Sequence, residues 1–158
     1  MLSNMKAFFK SFVYAFGGII SATRTQQNFR CHIIATIYVI AFSLFYDLSK
    51  YEYMILVLII ALIISLELVN TALEKAIDIC SPNYSILAKI SKDCAAGAVL
   101  ISAIGAVVIA IFMFADAEVL KSILSYYRCN PIALLGLVIF TIISIFFICY
   151  PFDKMKGK

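Results

Sequence analysis

Long apolar runs separated by short polar segments dominate the chain. The four main runs contain 14 to 24 consecutive residues without a charge. About 20 apolar residues in a helix cross the hydrocarbon core of a bilayer. The pattern therefore predicts four membrane-spanning helices, at about residues 31–46, 53–79, 93–115 and 131–150.

The segment before the first predicted span, residues 6–22, has a different pattern. Large apolar side chains, beginning with Phe8 and Phe12, recur at helical spacing, while Lys6 and Lys10 lie on the other side. Such a segment is typical of an amphipathic helix that lies in the membrane interface. The alternative is a fifth helix that spans the membrane poorly.

Composition fixes the class of protein. Hydrophobic residues make up 64% of the 158 residues, charged residues only 14%, and the mean hydropathy is +1.02. A soluble chain of this size cannot bury so much apolar surface. We therefore predict an all-α integral membrane protein and exclude a soluble domain, a disordered tail and a coiled coil. The net charge of +4 is too small and too dispersed to indicate a nucleic-acid partner.

The basic residues predict the orientation in the membrane. Ten of the 13 lysines and arginines lie in residues 1–30, 67–93 and 153–158. Basic residues are enriched in the cytoplasmic segments of membrane proteins. Both termini and the segment 67–93 are therefore predicted to be cytoplasmic, and the loop after residue 116 to be external.

Four polar side chains share one face of the second predicted span. They are spaced three, four and four residues apart, which places them within an arc of about 80° on a helix. The four are Glu67, Asn70, Glu74 and Asp78. Ionisable groups inside a membrane are expensive and usually functional.

Two chemical roles suit this face. Carboxylates on successive turns can bind Mg²⁺, and a single carboxylate can act as a general base on a hydroxyl. The alternatives are a solvated helix end whose acids pair with nearby lysines, and a small oligomeric transporter or channel that uses the acids for protons or cations. The acids extend toward the cytoplasm beside Lys89 and Lys92, whereas a proton pathway would keep one acid deep and isolated.

Two flanking segments add polar groups. Lys92 and Asp93 precede the third predicted span and are suited to bind phosphate or to anchor the helix at the membrane boundary. The segment 26–32, QQNFRCH, joins the surface helix to the first span, and Arg30 there is expected to be an interfacial anchor.

Three motifs together resemble the prokaryotic diacylglycerol kinases and undecaprenol kinases, which are small membrane lipid kinases. The similarity covers about residues 5–115. The motifs are Asn-Phe-Arg-x-His at 28–32, Glu-x-x-Asn-Thr-Ala-x-Glu-x-x-x-Asp at 67–78, and Ala-Lys-x-x-Lys-Asp at 88–93.

The resemblance implies a surface helix and three spans per subunit, assembled as a homotrimer whose active sites are shared between subunits. These sites would lie at the cytoplasmic face of the bacterial inner membrane, where ATP phosphorylates a lipid alcohol, undecaprenol or diacylglycerol, with Mg²⁺. On this pattern Glu67 is the general base, Glu74 a metal ligand, and Asn70 and Asp78 organise the site.

The resemblance also implies a nucleotide site. Lys92 and Asp93 would hold the nucleotide, and other residues would contact it: Tyr14, Asn83, Tyr84 and Ser85.

The chain departs from the family pattern in two places. Family members commonly have a second metal-binding glutamate two residues before Asn-Phe-Arg, where this chain has Gln26, a neutral oxygen ligand. The fourth span lies outside the three-span pattern. We therefore predict a kinase domain over 1–116, followed over 117–158 by an external loop, the extra span and a basic cytoplasmic tail. Because all the predicted chemistry precedes residue 116, the fourth span is expected to be peripheral.

Overall fold

The computed structural model describes residues 2–152. These residues form no strand and six helices, α1 (Leu2–Thr25), α2 (Gln27–Ser43), α3 (Lys50–Cys80), α4 (Ile86–Phe114), α5 (Ala117–Cys129) and α6 (Pro131–Cys149). The predicted all-α membrane fold is confirmed. The predicted basic tail, residues 153–158, lies outside the described residues.

Local sequence sets where the long helices begin. Ser49 and Glu52 form a capping box at the start of α3, in which each side chain binds the backbone N–H of the other residue. The Ser85 hydroxyl accepts a hydrogen bond from the N–H of Ala88 and caps α4. Pro131 occupies the first turn of α6, where its missing N–H removes no helical hydrogen bond.

Three of the helices in the described part of the chain are long and apolar enough to cross a membrane, namely α3, α4 and α6. The first predicted span is not among them, because its helix, α2, has only 17 residues. At 1.5 Å per residue this helix is about 25 Å long, somewhat shorter than the hydrocarbon core of about 30 Å. The crossing of α2 therefore stays a prediction.

The helices pack as an antiparallel bundle. α3 packs along α4, while α2 packs against both α3 and α6, and α1 contacts α2 and α3. The Tyr46 hydroxyl, just after α2, donates to the carbonyl of Phe114 at the end of α4 (2.8 Å). Arg30, at the start of α2, donates to the carbonyl of Ile148, near the end of α6. Hence the starts of α2 and α4 and the ends of α3 and α6 lie at the same end of the bundle, which we call the site end.

Much of the apolar surface of the subunit is uncovered. In the most apolar stretches of α3 and α4, only 22% and 11% of the residues are buried. Large side chains such as Leu58 and Ile101 are at least 70% exposed. Apolar surface on this scale belongs in lipid or against other protein.

The two amphipathic segments also differ from the predictions in detail. The segment predicted as an external loop contains α5, which begins where the Asp116 carboxylate accepts hydrogen bonds from the N–H groups of Glu118 and Val119. An acidic N-cap stabilises a helix start in this way. The predicted surface helix is present as α1, longer at both ends than the predicted 6–22. Its location in the membrane interface stays a prediction.

Candidate active site

The polar face of α3 runs from the interior of the bundle to its surface. Glu67, Asn70 and Thr71 are 2%, 6% and 6% exposed. Glu74 is half-buried and Asp78 is exposed. Since α3 is continuous from residue 50 to residue 80, the predicted spacing does place these groups on one side of one helix.

Asn70 connects the buried and the half-buried parts of this face. Its Nδ2 donates to Oε1 of Glu74 at 3.2 Å, which fixes the orientation of the amide. The Asn70 Oδ1 and the Thr71 Oγ1 are buried without a hydrogen-bond partner. Buried polar atoms are nearly always satisfied in native proteins, so this pair of oxygens is suited to receive a ligand or a cation.

A groove lies where α3 ends and α4 begins, with a volume of about 330 Å³. Within it the Lys92 ammonium forms an ion pair with Asp78. The groove brings together six of the residues that the sequence predicts for nucleotide binding or site organisation: Asp78, Asn83, Tyr84, Ser85, Lys92 and Asp93. Ser85 and Ala88, at the start of α4, also line the groove, and helix N-termini are favourable sites for phosphate.

The acidic face links the groove to the buried carboxyl group. Glu67 and Asp78 are 11 residues apart, or about 16 Å along the helix axis. Glu74 lies between them, one turn from Asp78. A ligand that entered the groove and extended along α3 would therefore meet Glu74 before it reached Glu67.

The structure does not bring every predicted site residue to this groove. Tyr14 is 65% exposed on α1, and the Lys10 ammonium lies 5.7 Å from the centre of its ring. Gln26 lies at the elbow between α1 and α2, in an extended backbone conformation and half-buried. Neither residue is among those that line the groove.

Sequence reasoning missed two residues near the site. Thr71 lies just beside the arc of the acids, about 40° from Glu67 and about 20° from Asp78 on a helical wheel, so its position could have been recognised. Arg30 is only 5% exposed and is not the interfacial anchor that was expected. Its partners are backbone carbonyls of other helices, which no sequence pattern reveals.

The donor set suits a magnesium ion only in combination with a phosphate ligand. Among the residues described, no three acidic, histidine or cysteine side chains are grouped to hold a metal. Mg²⁺ requires only one or two carboxylates when substrate phosphates supply further oxygens. The Glu74 carboxylate and the unpartnered Asn70 oxygen meet this requirement.

Comparison with known proteins places the chain in a family. The prokaryotic diacylglycerol kinase family matches residues 13–114, from the middle of α1 to the end of α4. An undecaprenol kinase of Bacillus subtilis is 40% identical over 112 residues, which are 71% of this chain and 91% of that protein.

Two further relatives carry the name diacylglycerol kinase. The protein of a Synechocystis species is 45% identical over 100 residues, covering 63% of this chain and 57% of its own. The protein of Helicobacter pylori J99 is 31% identical over 101 residues, covering 64% and 79%. The matches confirm the predicted lipid kinase, and this chain belongs to the prokaryotic diacylglycerol kinase family.

Proposed function

We propose that the protein transfers the γ-phosphate of ATP to the hydroxyl group of a membrane lipid alcohol, with Mg²⁺, at the cytoplasmic face of the membrane. The observation that carries the proposal is the continuous polar face of α3. This face joins a buried carboxyl group, Glu67, to a polar groove at the end of the bundle. In this proposal the apolar acceptor approaches the first from the lipid, and the water-soluble donor enters the second from solvent.

Glu67 is the general base in this proposal. Its carboxylate is almost completely shielded from water, so it can accept a proton from a lipid hydroxyl without competition from bulk solvent. General-base removal of that proton accompanies attack of the oxygen on the γ-phosphorus. The bond between the γ-phosphorus and the bridging oxygen breaks, and ADP leaves.

Glu74 and Asn70 would hold the metal ion. The Asn70 amide already binds Glu74 through nitrogen, and its oxygen is buried without a partner. Bound Mg²⁺ supplies neutralisation of the phosphate charge, which is the main requirement of phosphoryl transfer.

The groove would bind the nucleotide. Lys92 offers a point charge to phosphate oxygens and would exchange its pairing with Asp78 for pairing with the nucleotide. Asp93, Asn83, Tyr84 and Ser85 provide polar and aromatic contacts around it. Side chains at helix ends are needed for this role, because the sequence has neither a Walker A loop nor a glycine-rich kinase loop.

We further propose a homotrimer in the bacterial inner membrane, with both termini cytoplasmic. The uncovered apolar surfaces of α3 and α4 support an assembly. In such an assembly Tyr14 and Gln26, which lie outside the groove of their own chain, can contribute to the site of a neighbouring copy.

Undecaprenol is the proposed acceptor, because Asn28-Phe29-Arg30-x-His32 looks more like the undecaprenol-type members. The test is an assay of the purified protein with Mg-ATP and equal mole fractions of undecaprenol and diacylglycerol in mixed micelles. We expect undecaprenyl phosphate as the major product. Phosphatidic acid as the major product would assign diacylglycerol instead, and the absence of both products would overturn the proposal.

A further inference from the structure

Arg30 binds the ends of two helices at once. Its Nε and Nη2 donate to the carbonyl of Ile148, in the last turn of α6, at 3.1 and 2.9 Å. Its Nη1 donates to the carbonyls of Thr23 and Arg24, in the last turn of α1, at 3.0 and 3.3 Å. The guanidinium also lies 5.5 Å from the ring centre of Phe152.

These contacts answer a general need of helices. The last four carbonyls of a helix have no partner within it, and they carry the negative end of the helix dipole. A guanidinium has five donors in a fixed planar arrangement and cannot lose its charge. One buried side chain, at the start of α2, thus caps α1 and α6 together.

The rest of α6 is seated on α2 in the same chain. The hydroxyls of Tyr38 and Thr141 are hydrogen-bonded at 2.8 Å, and the rings of Tyr38 and Phe140 are 5.2 Å apart. Ser144 is 3% exposed. The fourth span therefore packs on α2, while only 6% of its most apolar stretch is buried within the subunit, and the expectation that it is peripheral stays a prediction.

The elbow capped by Arg30 lies at the same end of the bundle as the candidate active site. α1 and α2 both pack against α3. At this end of the bundle Ala22 and Phe29 of the elbow are 2% and 1% exposed, and Glu67 of α3 is 2% exposed. The position of the elbow, and of Gln26 within it, is thus fixed partly by α6.

We infer that Arg30 is a positioning residue for phosphoryl transfer and that α6 supports catalysis through it, by holding the α1–α2 elbow against the polar face of α3. This inference rests on the proposed function for its effect on turnover. We call Arg30, its carbonyl partners on α1 and α6, and the ring of Phe152 the clamp. Amide hydrogen exchange can test whether the clamp exists without any measurement of turnover.

Three variants of the full chain test the clamp. R30K keeps the positive charge but cannot reproduce the forked hydrogen bonds. F152A removes the ring beneath the guanidinium. T141V is the matched control, because it removes the hydrogen bond between Thr141 of α6 and Tyr38 of α2 and leaves the clamp untouched. Each is measured by amide hydrogen exchange of the last turns of α1 and α6, and by kcat and KM for Mg-ATP.

We expect R30K to speed exchange in both turns at least tenfold and to lower kcat about tenfold, with KM for Mg-ATP changed less than twofold, because the groove belongs to α3 and α4. F152A should act in the same direction, and R30K with F152A should equal R30K alone, since both act on one contact. T141V should leave exchange in α1 and kcat unchanged.

Two results would overturn the inference. The first is that R30K speeds amide hydrogen exchange in the last turn of α6 but leaves it unchanged in the last turn of α1. The second is that T141V lowers kcat as much as R30K does. If R30K does not insert into the membrane, F152A decides by the same two readouts. A wild-type protein that phosphorylates no lipid would overturn the proposed function, while the exchange data would still decide whether the clamp exists.

Discussion

Glu67 is the residue whose placement most needs a functional explanation. It is 2% exposed, between Leu66 and Leu68 on a helix that is long and apolar enough to cross a membrane. Placing a carboxyl group there costs free energy of folding, which a hydrophobic residue of similar size would avoid. A general base that meets a lipid hydroxyl away from water gives a reason to retain it.

Replacing Glu67 tests this role. E67Q keeps the size and hydrogen-bonding capacity of the side chain but removes its basicity, so we expect kcat to fall about 10²-fold or more. ATP binding, measured by equilibrium dialysis, should be retained because the groove is untouched. The matched control is E118Q on α5, at the other end of the bundle, which should retain full turnover. Near-normal turnover of E67Q would contradict the assignment.

The metal ligands are tested by adding and removing carboxylates. E74A should abolish productive Mg-ATP binding, because it removes the carboxylate paired with Asn70. Q26E should preserve activity or lower the Mg²⁺ concentration needed for half-maximal rate, since a carboxylate attracts a hard cation more strongly than an amide does. Titration of activity with Mg²⁺ measures both. A higher Mg²⁺ requirement in Q26E would remove Gln26 from the metal site.

At the level of single residues, helical spacing could predict the face from Glu67 to Asp78, because every residue involved lies on one helix. Spacing could not predict the surroundings of Arg30. Its partners are backbone carbonyls 6, 7 and 118 residues away in the chain. Such contacts depend on how helices pack, and a pattern along one segment carries no information about them.

Among the elements, the junction of α3 and α4 contributes most to the proposed nucleotide site. α3 ends at Cys80, and α4 begins at Ile86 under a Ser85 cap. The turn between them thus brings an acidic helix end and the basic first turns of α4 to one groove.

Lys92 tests the role of this junction. K92A should raise KM for Mg-ATP about tenfold with a smaller effect on kcat, because a charge that contacts the bound phosphates is lost. Lys121 provides a matched control, since it forms an ion pair with Glu118 at 2.7 Å on α5. K121A should leave both constants unchanged. Equal effects of the two substitutions on initial-rate kinetics would refute a specific role of the groove.

The helices themselves were largely predictable from the sequence, because uncharged apolar runs and capping residues mark them. The exceptions have physical causes. The pattern of apolar runs predicts a loop where α5 lies, because this segment has no long uncharged run, although Asp116 is a favourable N-cap. α2 begins at Gln27 and ends at Ser43, so it is about as long as the apolar run but starts four residues before it and ends three residues before it.

For the whole molecule, the orientation in the membrane can be determined from residues that mark the two ends of the bundle. Four cysteines lie at the site end, and Cys129, at the end of α5, lies at the opposite end of the bundle. The four are Cys31, Cys80, Cys94 and Cys149. All five thiols are free, and Cys129 is exposed.

Thiol labelling therefore reports the orientation without engineered sites. With cytoplasmic termini, a membrane-impermeant maleimide should label the wild-type protein in spheroplasts and should fail to label C129S. After permeabilisation, C129S should be labelled through its remaining thiols. Strong labelling of C129S in sealed spheroplasts would show the inverted orientation, and mass spectrometry of the labelled protein distinguishes the outcomes.

The most direct test of the account is phosphate transfer by the purified protein in sealed proteoliposomes that contain undecaprenol, with γ-labelled Mg-ATP added outside. We predict labelled undecaprenyl phosphate in proportion to the fraction of protein whose site end faces outward, as determined by thiol labelling. With E67Q the rate of lipid labelling should fall about 10²-fold or more. A pH-sensitive dye inside the same vesicles records proton movement. Dye response, or release of labelled inorganic phosphate, without labelled lipid would contradict the assignment as a lipid kinase.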